Sequence, residues 1–170
     1  MMFDFKIIDY SEEYAKDILS WSKDYDAFYK WSANVLGKYP LTIENFNHRI
    51  NQLKRSNSFY PFLLMVNDKV CGFFSLRKRV ENIDIFTIGF VIVDPEYRGK
   101  GIGKKMLILA VNLAFEEYGA EAVNLRVFKG NTDAYNCYKK VGFNENGVTD
   151  YYVIDNHEHE CIELEIKKPI

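Results

Sequence analysis

The residues best suited to chemistry lie in one stretch, Val91-Ile92-Val93-Asp94-Pro95-Glu96-Tyr97-Arg98-Gly99-Lys100-Gly101-Ile102-Gly103-Lys104. An apolar strand ends, Asp-Pro turns the chain, and glycines at 99, 101 and 103 open a long helix. Glycine lets backbone approach a bound group closely. The unpaired N–H groups of a helix's first turn point at that group, and the helix dipole favours an anion there. Arg98 and Lys104 add positive charge at the two ends, with Lys100 between them. The stretch reads as a cradle for a pyrophosphate.

Two common cradles do not fit. A Walker A loop needs Gly, four residues, then Gly-Lys-Ser/Thr; here Gly103-Lys104 has Arg98 in the first glycine's place and Lys105 after it. A dinucleotide fingerprint needs glycines spaced G-x-G-x-x-G and an acid at the end of the next strand. That strand ends Val127-Phe128-Lys129. Downstream, Asn131, Ala134, Tyr138, Gly142 and Phe143 follow in order. Asn131 and Tyr138 are seven residues apart, so on a helix they share a face ~10 Å apart along the axis.

Arg98-Gly99-Lys100-Gly101-Ile102-Gly103, followed by Asn131, Tyr138 and Gly142-Phe143, resembles the acetyl-CoA site of the GCN5-related N-acetyltransferases (GNAT family). The match runs over roughly residues 59–145. The early layout of helices is similar to the members that acetylate ribosomal-protein N-termini or small amines. The resemblance implies direct transfer of an acetyl group from acetyl-CoA, as co-substrate, to a primary amine. It implies that Val91, Ile92 and Val93 hold the pantetheine arm through backbone hydrogen bonds, one N–H polarising the thioester carbonyl. The loop residues Arg98, Gly99, Lys100, Gly101, Gly103 and Lys104 would bind the pyrophosphate, Asn131 and Tyr138 would line the arm, and Tyr138 would protonate the departing thiolate. Read from its own helix, Tyr138 also fits an ordinary core tyrosine, and Asn131 a helix N-cap. Many members carry a Glu on the central strand near Thr87, which is not one; Asp84, Glu81, Asp26, Glu44 and water remain as routes for the amine proton. A non-catalytic acyl-CoA-binding module of the same fold, and an enzyme using a longer acyl group, stay open as alternatives.

The elements that must position these residues follow from periodicity. Phe3–Ile8 reads as a strand, Ser11 as the cap of a helix to about Trp21, Asp24–Ala33 as a second helix, and Thr42 as the cap of a third through Leu53. Phe59–Val66 and Val70–Leu76 read as a hairpin across Asn67-Asp68-Lys69, and Ile83–Val93 as a central strand buried on both faces. Ile102, Met106, Leu109 and Leu113 make one helical face ending near Gly119. Ala122–Phe128 is a strand, Thr132–Val141 a helix stopped by Gly142, and Tyr151–Ile154 with Ile162–Ile166 a last hairpin. The class is α+β with one central sheet, and the resemblance implies a GNAT-like fold, a central mixed, mostly antiparallel sheet flanked by helices; a single domain over residues 1–170 is expected.

Composition narrows the partners. The 170 residues are 48% hydrophobic and 27% charged, and a net charge of −2 leaves no basic excess for a nucleic-acid backbone. Cys71, Cys137 and Cys161 lack any CxxC pair, so buried thiols are expected, with neither disulfide scaffold nor metal site. No signal peptide stands at the N-terminus, and the longest apolar run is far short of the ~20 residues that cross a bilayer. A cytoplasmic enzyme is expected, with an amine as partner, no nucleic acid, no membrane, and a homodimer left open. Arg77-Lys78-Arg79 reads as a solvated strand end and His157-Glu158-His159-Glu160 as a turn between strands. Cys137 reads as packing, and the stripe Trp21, Tyr25, Phe28, Tyr29 and Trp31 as core or as a wall of the acceptor site.

Overall fold

Two tight turns built from Asn and Asp set the β-structure. Asn67 and Asp68 take φ of 49° and 62°, and Asp155 and Asn156 take 49° and 64°. Paired left-handed residues twist with the flanking strands, and Asn and Asp tolerate that conformation. A computed structural model describes residues 2–82 and 84–170. It contains β1 (Phe5–Asp9), α1 (Ala15–Ser20), α2 (Tyr25–Ser32), α3 (Ile43–Lys54), β2 (Phe59–Val66), β3 (Lys69–Lys78) and β4 (Ile85–Val93). There follow α4 (Ile102–Glu116), β5 (Ala122–Phe128), α5 (Thr132–Val141), β6 (Asn144–Ile154) and β7 (His157–Lys167). The sheet order is β1-β2-β3-β4-β5-β7-β6. β4 and β5 run parallel and the other pairs antiparallel, the mixed sheet that the strand pattern predicts.

Each face of the sheet carries its own core. One face packs Phe62, Leu64, Phe74, Leu76, Val123 and Leu125 against α4 and α5. The other packs Leu63, Phe73 and Ile92 against Ile18, Phe46 and Ile50 from α1 and α3. Alternation along each strand makes this division. Gly72 is required by the first core: a Cβ there would lie 2.5 Å from the Met106 sulfur. Thr42 and Asp24 cap α3 and α2, their side chains accepting from the Asn45 and Ala27 N–H groups.

Several expectations need correction. Ser11 caps no helix; its hydroxyl donates to Glu13 and the chain makes a 3₁₀ turn over Glu12–Tyr14 before α1 begins. Leu109 and Leu113 of α4 are only half-buried, the buried side running through Ile102, Met106, Ala110 and Ala114 with Leu107 and Val111 beside it. The helix is apolar nearly all round, so spacing alone does not select its inner face. In β4 only Phe86, Ile88 and Ile92 are buried, and Ile83, where the expected strand begins, lies outside the described residues. The cause is topological: β5 pairs with β4 only from Ile85 to Thr87 and then leaves it. His157–Glu160 belongs to β7, the turn being Asp155-Asn156.

Candidate active site

The opening between β4 and β5 follows from that divergence. Thr87 pairs with Asn124, and beyond this point β5 keeps β7 as its partner to Phe128 while β4 keeps β3. The β5-facing edge of β4 from Ile88 onward therefore has no strand beside it. A bulge turns the same segment, with Phe90 and Val91 opposite Phe74 alone and Phe90 at φ 51°. The Trp31 Nε1–H donates to the Phe90 carbonyl at 2.8 Å, so α2 fixes the bulge from the second core. A cleft of about 180 Å³ occupies this gap. Ile88, Gly89 and Phe90 of β4 line it together with Trp31, Arg77, Arg126, Asn131, Tyr138 and Tyr152.

The glycine loop sits at the exit of β4. Asp94 accepts from the Glu96 N–H, the chain makes a 3₁₀ turn over Pro95–Tyr97, and Gly99 and Gly101 take φ of 72° and 79°. Left-handed backbone at Gly101 aims the start of α4, whose first internal bond runs from the Lys105 N–H to the Gly101 carbonyl. The N–H groups of Ile102, Gly103 and Lys104 precede that bond and are unspent by the helix. A Cβ at Gly99 or Gly101 would meet nothing within 4 Å, so open space lies over the loop. Arg98 is turned inward: its Nε donates to the Val93 carbonyl at 3.0 Å and a terminal nitrogen to the Trp21 carbonyl at 3.4 Å. Lys100 lies over the Tyr97 ring and Lys104 is exposed.

Tyr138 is 8% exposed, packed edge-on to Phe143 and lining the cleft. Burial pushes its pKa up, so the phenol stays protonated. Asn131 caps α5 through its carbonyl, which accepts from the Tyr135 N–H, leaving its side chain at the cleft. Gly142 ends the helix at φ 117°. Burial also raises the Cys137 thiol, in keeping with packing. Thr87 is engaged with Asn124, its hydroxyl donating to Oδ1 at 2.7 Å. Glu81 and Asp84 are exposed, and no Asp or Glu lines the cleft among the described residues. The aromatic stripe divides: Trp21, Phe28 and Tyr29 are core, Tyr25 is exposed, and Trp31 reaches the cleft.

Sequence reasoning missed a buried charge network beside this cleft. Glu163 is 3% exposed and accepts from Arg79 at 3.3 Å, Arg126 at 3.2 Å, Asn124 at 3.3 Å and Asn146 at 2.8 Å. Alternation with Ile162 and Leu164 makes Glu163 read as solvent-facing. The available signal was Arg126, a charge in the middle of the apolar strand Ala122–Phe128. Arg79 is accordingly no solvated strand end, and Arg77, two residues before it, lines the cleft.

Residues 11–143 match the Acetyltransferase (GNAT) family. The chain belongs to this family. It is 28% identical over 141 residues to a putative ribosomal protein bS18 alanine N-acetyltransferase of Bacillus subtilis, covering 82% of this chain and 87% of that protein. Over 59 residues it is 37% identical to a spermine/spermidine N(1)-acetyltransferase of Bacillus subtilis, 35% of this chain and 39% of that one. A solved spermidine N-acetyltransferase from Vibrio cholerae, in complex with CoA and spermine, superposes with a TM-score of 0.80. It covers 96% of this chain and 95% of that one at 16% identity, so the likeness is one of fold. The protein is an enzyme of acetyl-CoA-dependent transfer to amines. Among the described residues, no helix is long and apolar enough to cross a membrane.

Proposed function

We propose that the 170 residues act as a single cytoplasmic N-acetyltransferase domain whose cleft between β4 and β5 takes the acyl-pantetheine arm from one end and the amine from the other. The observation that carries this reading is the divergence of β4 from β5 after Thr87, with Tyr138 lining the cleft that opens there and the glycine loop following the end of β4 in the chain. The N–H groups of residues 102–104 would hold the pyrophosphate, with Lys100 and Lys104 contributing charge and Arg98 bracing the loop onto β4 and α1. Val91, Ile92 and Val93 would offer backbone groups to the arm, and the bulge frees an N–H to polarise the thioester carbonyl.

The neutral amine attacks that carbonyl, the tetrahedral intermediate collapses, and the C–S bond breaks. Tyr138 would donate its proton to the leaving sulfur. Its raised pKa keeps the phenol protonated before transfer and excludes it as the base, and the phenolate left by donation, which burial penalises, would be reprotonated at once from solvent. With no carboxylate lining the cleft among the described residues, the amine proton would pass to water. Alanine-directed and polyamine-directed relatives both support an amine acceptor.

The test is Tyr138→Phe, assayed by release of free thiol from acetyl-CoA and by calorimetry of acetyl-CoA binding. Binding is expected to survive while kcat falls about 10²-fold. Equal turnover in both proteins, with chemistry rate-limiting, would reduce Tyr138 to packing.

A further inference from the structure

The sheet face under α1–α3 changes character across its width. On β2 and β3 it presents Phe59, Leu63 and Phe73 to the helices. From Ser75 onward it is polar, because Arg77 registers with Thr87, Thr87 with Asn124, and Arg126 with Glu163. Paired residues and residues two apart share a face, so these side chains form one strip. Of this strip, Ser75, Arg77, Thr87 and Arg126 line the cleft.

Its charge is one-sided. Lys30, Arg77 and Arg126 line the cleft, and among the described residues no carboxylate does. Lys30 is paired with Asp26, and Arg126 is spent on Glu163 and Asp150. Arg77 makes no ion pair among the described residues, and it stands at the edge where ligand and solvent both reach it. The Ser32 hydroxyl, on α2 across the cleft, is fully buried and has no hydrogen-bond partner among the described residues. A buried hydroxyl without a partner is costly, and a ligand that satisfies it recovers that cost.

We propose that the acceptor is a primary amine that also carries a carboxylate, with Arg77 as the specificity-determining residue and Ser32 supplying a hydroxyl to the same end of the molecule. This rests on the reading of the cleft as the site of acetyl transfer. A guanidinium donates two parallel hydrogen bonds to a carboxylate. A polyamine, cationic at every nitrogen, meets Arg77 with like charge and finds no carboxylate to neutralise it. The polar strip thereby separates this enzyme's acceptor from a polyamine.

The experiment compares amines that differ only by the carboxylate: lysine with 1,5-diaminopentane, ornithine with 1,4-diaminobutane, and tyrosine with tyramine, with spermidine added. Thiol release from acetyl-CoA gives kcat and KM for each. The amino acid of each pair is expected to have a kcat/KM at least about tenfold higher, the worth of a charge-assisted hydrogen bond. In Arg77→Gln this ratio falls toward one through a rise in KM for the acids, and Arg77→Lys restores part of it. Diamines or spermidine turned over as well as the amino acids, or an unchanged ratio in Arg77→Gln, overturns the proposal while leaving acetyl transfer intact. An absence of turnover with every amine overturns both.

Discussion

Replacing Glu163 by Gln keeps the side chain's shape and removes its charge from beneath two arginines. The structure sets the size of the effect. Glu163 is 3% exposed and its carboxylate is the shared acceptor for Arg79, Arg126, Asn124 and Asn146. Breaking a buried pair by removing one partner costs roughly 3–5 kcal/mol. Here both guanidiniums keep a quarter of their side-chain exposure, and Glu81 and Asp150 remain as second partners. The low end applies, about 3 kcal/mol. For a chain of this length that lowers Tm by about 6–12 °C. The amide also turns two donors toward Asn124 and Asn146, which were donating to the carboxylate, so relaxation does not recover the loss. The assay is thermal unfolding, with a denaturant titration to check that the slope m is unchanged. The double variant Glu163→Gln/Arg79→Gln is expected to lose less than the two single losses added, because they share one network. A Tm change below about 2 °C would refute the reasoning, for the arginines would then be solvated in the folded protein.

Gly101 and the buried thiols each set further expectations. At Gly101 the φ of 79° with open space around the Cβ position predicts that Gly101→Ala costs about 1 kcal/mol of stability and keeps acetyl-CoA binding. Gly101→Glu, which puts negative charge over the loop, abolishes binding by calorimetry; an unchanged Kd there would remove the cradle assignment. Burial pushes the Cys161 thiol up to about 12 and raises Cys71 and Cys137 as well. The unfolded thiols ionise near pH ~8.5 while the folded ones hold their protons, so stability is full below that pH and falls above it. Each fully protected thiol adds a slope of at most about 1.4 kcal/mol per pH unit. Tm measured from pH 7.5 to 10.5 is expected to fall, less steeply in Cys161→Ala; a flat profile sinks the argument.

Local signals carry the elements and the glycine loop proposed to hold the cofactor. Thr42 and Asp24 as caps, Gly142 as a helix stop, and Ala122–Phe128 as a strand are decided within a few residues, by hydrogen bonds and dihedral preferences that neighbours in the chain supply. The glycine loop is legible for the same reason, since every part of it lies between Val93 and Lys104. The second hairpin is longer than alternation suggests: Asp155-Asn156 makes the same kind of tight turn as Asn67-Asp68, and β7 begins directly after it at His157.

What the chain could not reveal by itself is whatever depends on which strands lie side by side. Alternation assigns Glu163 to a face but does not say what covers that face. Only the order β3-β4-β5-β7 brings Arg79, just past the end of β3, together with Arg126 and Asn124 around it, from positions 84, 37 and 39 residues away. Likewise β4 reads as a continuous apolar strand, and its burial on both sides fails because β5 pairs with three of its residues and then departs. That departure opens the cleft, which Arg77 and Ser32 line and which no carboxylate lines among the described residues. Propensity acts over a few residues, whereas sheet order is set by the burial of two whole faces at once, a property of the assembled fold.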